Sequence, residues 1–483
     1  MKRRKMRGGV RFGTFQGTPR AFGPDAFPKR LWVPLRQGYG EAVQPLVSSG
    51  EKVLAEQIIG RDDGVISTPI HAPLSGSVEH VGSISENGDG ENFIVIAADE
   101  REDRAERKPV GLDFERQPSE EIARALYECG VTALGRTGIP SPFKSCPAEP
   151  DAIDTLIVAM LETFPLSPGV DTRLNGRWKE LASGIQVLRR ALAVDRVIVA
   201  FSSDEVRKQF IPWLNQVPDA EVRKVSEKYP QDWDETLVEA LAERRVPDGG
   251  LSTDVGVVCI GINAALAAYA AVLFGQPLIR QEVALVGSGL AQPEIVRAPI
   301  GTAVSELLGT RRTPDAPVRV ILGDPLVGIA VEEGRAPVSR GLETITVLRE
   351  TKDPEMFAFL KPGRDRHSHS NAFVSALVPS THFENDTGLH GEERPCICCN
   401  YCDEVCPRDL MPYQLSKLVR IEEIEEARVI HLTACIECCL CSYVCPSKIP
   451  LLEDIRRGKQ MLAEELAHEE QSKTTPDSGA SEG

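Results

Sequence analysis

Two short segments constrain this chain more than any other: CICCNYCDEVCP at 396–407 and CIECCLCSYVCP at 435–446. Each holds five thiols, four of them spaced Cys-x2-Cys-x2-Cys-x3-Cys-Pro. In the first block Cys398 is left over, and in the second Cys439. A loop with this spacing lets three thiolates hold three corners of a cubane. The fourth cysteine, ahead of proline, reaches the other cluster in two-cluster ferredoxins. The spacing therefore predicts two [4Fe–4S] clusters. Cys396, Cys399, Cys402 and Cys445 would hold the first, and Cys435, Cys438, Cys441 and Cys406 the second. Structural zinc also favours Cys-x2-Cys pairs, but it has no need for this run twice over, each closed by Cys-Pro.

The remaining cysteines, Cys129, Cys146 and Cys259, are scattered. Thiols clustered in a chain without an apolar export signal point to metal and a reducing cytosol, not to a disulfide framework. A formal charge of -16 argues against nucleic acid as the main partner, since phosphate binding needs a basic face. The positive charge is uneven, because Lys2, Arg3, Arg4, Lys5, Arg7 and Arg11 all precede the first acid, Asp25. Such a leader reads as a solvated start, or as a contact for an anionic leaflet or an acidic partner subunit. His367, His369, His382 and His390 lie upstream of Cys396, but their spacing fits no ligand template and they read as surface or cap residues.

One uncharged stretch, VGVVCIGINAALAAYAAVLFG at 255–275, is long enough to cross a bilayer. Its alanines, Asn263 and three glycines fit better a buried strand (Val255–Ile260), a turn and an apolar-faced helix (Ala264–Phe274). The chain is thus expected to span no membrane itself and to meet one only through partners.

At 483 residues, three or four domains are expected. Residues 31–108 contain valine-rich strands broken by Gly, Pro, Ser and Asn, in a pattern that resembles the barrel-sandwich hybrid fold of biotinyl and lipoyl carriers. HAPLSGSV lacks the modifiable lysine of those carriers, so a structural or docking role is expected. In 109–279 helical stretches alternate with apolar runs, which implies a parallel sheet covered on both faces. Residues 280–347 return to short strands and read as a small β-grasp module. A connector, 348–395, leads to the helical cysteine region at 396–465, and 466–483 lacks apolar periodicity and should be disordered. The fold class expected is multidomain α+β and α/β.

With its parts in this order, the chain resembles the C subunit of Rnf-type electron-transport complexes. Landmarks are GGV near the start, HAPLSGSV, VPDGGLSTDVGVVC at 246–259, GQPLIRQEVALVGSG, APIGTAVSELL and the two cysteine blocks. Residues 356–415 are similar to the A subunit of the sodium-pumping NADH:quinone reductase, a relative that usually lacks the cysteines. The β-grasp module would then be SLBB-like, and the cysteine region a dicluster ferredoxin domain.

The Rnf-type resemblance implies NADH oxidation at FMN in the α/β domain, followed by electron transfer through the clusters. The motifs for that site depart from the family. Its loop G-x-G-G-A-G-F-P stands here as ALGRTGIP, where Gly135, Gly138 and Pro140 match but Ala133 and Arg136 replace glycines. Glycines there let the backbone approach a phosphate or flavin, and a side chain obstructs that approach. AMLETFP keeps Glu162 and Pro165 but has Phe164 where a second acid belongs, and YPQDWDE has Asp232 and Trp233 in place of two glycines. FMN and NADH binding are accordingly expected to be lost, with a quinone as a candidate ligand through the sodium-pump likeness.

These features suggest an electron-transfer subunit of a membrane-associated, ion-translocating NADH:quinone or NADH:ferredoxin oxidoreductase. It would sit peripherally on the cytoplasmic face beside integral-membrane and flavin-bearing subunits. No general acid or base is needed and none is nominated. The alternatives are an FMN-dependent NADH reductase resembling cobalamin reductase, and a non-catalytic docking or redox-sensing subunit.

Overall fold

Alternation of apolar residues builds the first module. Leu31 and Val33 of strand Arg30–Pro34 face inward and pair with Ile96 and Ile94 of Asn92–Ala98. Gly76–Ser83 and Lys52–Val53 complete this antiparallel sheet. A second sheet, of Gln44–Pro45, Ile58–Arg61 and Ile70–His71, closes over the same core through Ile59 and Ile70. The computed structural model describes residues 6–474 apart from 14, 38–39, 63, 65–66, 84–91, 100–102, 134–138, 141–152, 314–316, 333–335, 351–368, 370–384 and 389–391.

The continuous apolar runs TLIVAM, RVIVAF and VVCIG form strands Thr155–Met160, Arg196–Phe201 and Val257–Gly261, buried on both faces as a parallel sheet requires. Glu221–Lys224 adds an edge, giving four parallel strands. Helices Trp178–Leu192 and Ile262–Phe274 cover one face, crossing where Gly184 lies so close that a Cβ would fall 1.9 Å from the Ala265 carbonyl oxygen. Asp234–Leu241 packs on the other face. The uncharged stretch at 255–275 is thus a strand and a helix, but they abut at Gly261 and Ile262 without the expected turn. Among the described residues no helix is long and apolar enough to cross a membrane.

The sheet of the next module is mixed, ordered Glu294–Pro299, Arg280–Val286, Thr344–Arg349, Val318–Leu322, Ile329–Val331, with helix Val304–Leu308 against its core. The cysteine region consists of short helices Tyr401–Val405, Pro412–Arg420, Ile424–Val429 and Leu440–Val444, and a long one, Leu451–Thr474. That last helix corrects the expectation that disorder begins at 466. AEELAHEEQSK is rich in strong helix formers, which extend a helix even without an apolar face. Residues 475–483 lie outside the described residues.

The described part of the basic leader is stitched in. Gly9 donates its amide to the Val405 carbonyl at 2.8 Å, and Val10 pairs with Tyr229 through two backbone hydrogen bonds. Gly8 has φ +60 and lies so near Val405 that a Cβ would meet its oxygen at 2.5 Å. Arg7 pairs with Asp409 at 2.5 Å, and Arg11 with Glu227. Residues 7–11 therefore strap the cysteine region to the α/β domain instead of standing free, while Lys2, Arg3, Arg4 and Lys5 lie outside the described residues.

Candidate metal centres

The two cysteine loops share one backbone. Each residue of the first has a counterpart thirty-nine positions on, Cys396 with Cys435 and Cys406 with Cys445. Cys398 and Glu437 both take positive φ (54 and 61), as do Asn400 and Cys439 (59 and 66) and Asp409 and Lys448 (55 and 57). This left-handed path turns amides toward sulfur. The Cys398 amide donates to Cys396 Sγ, and the Glu437 amide to Cys435 Sγ, each at 3.4 Å. After each loop a five-residue helix, Tyr401–Val405 or Leu440–Val444, carries the chain to the fourth cysteine, which is extended.

That helix delivers the fourth cysteine across to the other loop. One hollow is ringed by Cys396, Cys398, Cys399, Cys402 and Cys445, with Tyr413, Ile449 and Leu451 behind them. The other is ringed by Cys406, Cys435, Cys438, Cys439 and Cys441, with Leu410, Leu452 and Ile455. Among the described residues no three His, Cys, Asp or Glu side chains converge at the spacing of a single ion. Thiolates at the corners of a cubane stand farther apart than ligands of one ion, so the ringed hollows suit a cluster. Burial pushes the Cys402 thiol up to about 12 and Cys406 to about 11, and raises Cys438 and Cys441 as well. Crowding adds to this, since Cys435, Cys438, Cys439 and Cys406 all act on Cys441. Metal binding must displace these protons, which makes loading pH-dependent.

The second hollow faces the α/β domain and the first faces outward. Cys438 and Cys441 are buried, whereas Cys396 and Cys398 are exposed. The Tyr229 hydroxyl donates to the Cys438 carbonyl at 3.0 Å, and Trp233 packs edge-on to Tyr229 at 5.7 Å. Lys459 donates to the Cys435 carbonyl at 2.7 Å and to Glu437 at 2.8 Å. Sequence reasoning missed these neighbours. The only available signal was that Trp233 stands at a glycine position of the family motif. His369 packs edge-on to Tyr401 at 5.6 Å, while His367, His382 and His390 lie outside the described residues.

A cavity of about 440 Å³ lies beside Trp233, at the C-terminal ends of strands Thr155–Met160 and Val257–Gly261. Glu162, Arg173, Asp232, Asn263 and Glu343 line it. Glu162 is paired with Arg173, Thr163 donates its hydroxyl to Asp232, and Asn263 donates to Glu343 at 2.9 Å. Six carboxyls, those of Glu162, Asp232, Asp234, Glu235, Asp324 and Glu343, thus line the cavity with one guanidinium, Arg173, whose Nε is paired with Glu162 while its buried Nη1 has no hydrogen-bond partner among the described residues. Of the other loop residues, Gly135 and Gly138 lie outside the described residues, and Pro140 lies in strand Ile139–Pro140, opposite Thr132.

Burial pushes Asp232 up to about 6 from its ordinary 3.8, an effect its bond from Thr163 offsets only in part. Between those values the unfolded chain has released a proton that the folded chain retains. The stability that neutral Asp232 confers is present below 3.8 and lost as pH rises through 6, by roughly 3 kcal/mol. Asp232→Asn should therefore raise stability by about that amount at pH 7.5, and by little at pH 4. Denaturant midpoints at the two pH values check this, and equal shifts at both would contradict it.

The comparisons with known proteins fit this arrangement. A family model described as the RnfC barrel sandwich hybrid domain matches residues 5–101, beginning inside the basic leader. One described as the Nuo51 FMN-binding domain matches 126–270. The C subunit of the ion-translocating oxidoreductase complex of Rhodobacter capsulatus is 29% identical over 455 residues, covering 92% of this chain and 80% of that protein. The protein of the same name from Pseudomonas aeruginosa is 30% identical over 443 residues, covering 90% of this chain and 53% of that one. Among solved structures, the NAD+-reducing [NiFe]-hydrogenase in the H2-reduced state aligns with TM-score 0.46 at 15% identity, over 77% of this chain and 70% of that one.

A barrel-sandwich hybrid joined to an α/β domain of the Nuo51 type defines a multidomain α+β protein of the electron-transfer class. Over nine-tenths of its length the chain is similar to the C subunits of ion-translocating oxidoreductase complexes, and its first module matches the barrel sandwich hybrid domain of RnfC.

Proposed function

We propose that this chain is the electron-transfer subunit of a membrane-associated, ion-translocating oxidoreductase, relaying electrons through two [4Fe–4S] clusters. The observation that carries the reading is the reciprocal crossing of Cys445 and Cys406 between the two thiol rings. Such clusters supply one-electron exchange, and the chain's own residues set their surroundings. Cys396, Cys399, Cys402 and Cys445 would hold one, and Cys406, Cys435, Cys438 and Cys441 the other. Apolar walls from Ile449, Leu451, Leu452 and Ile455 restrict water at both, a factor that tunes potential. Tyr229 and Trp233 fix the second ring against the α/β pocket, and the exposed first ring faces partners. The module of strands 280–349 is read as SLBB-like, and the helical region as a dicluster ferredoxin domain.

The α/β pocket does not fit a flavin phosphate. Its carboxyls would repel the phosphate, and the buried Trp233 side chain, 4% exposed, occupies a family glycine position. The match to an FMN-binding domain weighs the other way, so FMN absence would be a departure within the family. Peripheral attachment to the cytoplasmic face, sodium as coupled ion and a quinone as acceptor follow from the likeness to the C subunits and from the sequence of 356–415.

The test is anaerobic reduction of the purified chain. Dithionite should bleach the iron–sulfur absorbance, NADH alone should not, and denaturation should release no FMN. Stoichiometric FMN with bleaching by NADH would support the flavin-dependent reductase instead. Clusters that membranes supplied with NADH fail to reduce would remove the relay.

A further inference from the structure

We propose that Cys398 is a reserve ligand of the first cluster, able to take over the iron corner held by Cys396. This rests on the reading of the two hollows as cluster sites. Cys398 rings the same hollow as Cys396, Cys399, Cys402 and Cys445, so that site offers five thiols for four corners. It follows Cys396 by two residues, on a turn tight enough for its amide to donate to Cys396 Sγ at 3.4 Å.

The four corners are not equally protected. Cys396 is exposed, Cys399 is intermediate and Cys402 is buried. Water and oxidants therefore reach the Cys396 corner first, and the spare thiol stands beside that corner. Cys398 is itself exposed, and among the described residues its thiol takes part in no hydrogen bond.

The second loop supplies the contrast. There the counterpart of Cys398 is Glu437, whose carboxylate is bound by Arg456 and Lys459, each at 2.8 Å. Its own extra thiol, Cys439, occupies the position of Asn400 and is flanked by Ser442 and Arg456. The two spare thiols are thus not equivalent by the repeat. Cys439 is engaged where it sits, and Cys398 is free to rotate toward iron.

The exchange involves no change of oxidation state. The Fe–S bond to Cys396 breaks, one to Cys398 Sγ forms, and the proton lost by Cys398 goes to the departing Cys396 thiolate or to water.

The experiment compares the full chain with Cys396→Ala, Cys398→Ala and the double variant, each reconstituted anaerobically with ferrous iron and sulfide. Iron and sulfide content and low-temperature EPR are read. Wild type and both single variants should hold about eight irons, and the double variant about four. Cys396→Ala should show an altered signal from the first cluster only. The unchanged signal of the second cluster reports that each variant has folded. Loss of about four irons from Cys396→Ala, with Cys398 present, would overturn the proposal, as would a double variant that keeps all eight. A wild type far below eight irons would overturn the cluster reading itself, and this inference with it.

Discussion

Cys445→Ala should remove the cluster whose other thiols lie in the first block, and spare the one formed by the block in which it stands. Its EPR spectrum should lack the same signal as Cys402→Ala and keep the signal that Cys441→Ala loses. The reason is where the short helix Leu440–Val444 ends. It carries Cys445 away from Cys435, Cys438 and Cys441 and into the ring of Cys396, Cys399 and Cys402. Cys406→Ala should behave in the mirror sense, because Tyr401–Val405 delivers Cys406 to the second ring. In each case roughly half of about eight irons should be lost. If Cys445→Ala and Cys441→Ala remove the same signal, each block ligates its own cluster and the crossing is wrong.

The second large effect is acid sensitivity at His71. Burial, with the Arg340 guanidinium adding to it, lowers this imidazole to about 3 from its ordinary 6.5, and a hydrogen bond with the Glu128 backbone only partly opposes the shift. Its Nδ1 has no partner, so the folded chain offers a proton no acceptor there. Arg340 is itself fully buried, donating to Thr68 Oγ1 and to the Pro69 carbonyl at 2.6 Å, and it ties the barrel-sandwich module to the chain before strand Thr344–Arg349. Below pH 6.5 the unfolded chain gains a proton that the folded chain refuses. Stability is therefore complete above 6.5 and falls as pH drops toward 3, by roughly 5 kcal/mol from this residue. His71→Gln keeps a polar side chain and removes the titration. It should lose less stability than wild type between pH 7 and pH 4, as read by denaturant midpoints. Parallel curves for the two proteins would show that His71 is not the source.

How far the sequence reached depends on the range over which each feature is determined. Thiol spacing acts within twelve residues, so the two cysteine loops were legible as such; the structure gathers five thiols around each hollow, Cys398 and Cys439 among them. The alternation of Leu31 and Val33 and the apolar runs of the α/β sheet were legible for the same reason. Features set by distant partners were not. Nothing local in GGV shows that Gly8 must leave room for the Val405 carbonyl, or that Val10 will pair with Tyr229. Trp233 was legible as a departure from a glycine position, but not as a wall between the pocket and the second ring. The helix beyond 466 was missed because the apolar periodicity used to find helices is absent where helix-forming side chains alone sustain one.

Low-temperature EPR of the dithionite-reduced full chain most directly tests whether this protein holds two electron-carrying clusters. Signals of about two reduced [4Fe–4S] centres per chain are expected, broadened by their mutual proximity. A silent spectrum from protein loaded with zinc, or the signal of a single centre, would contradict it.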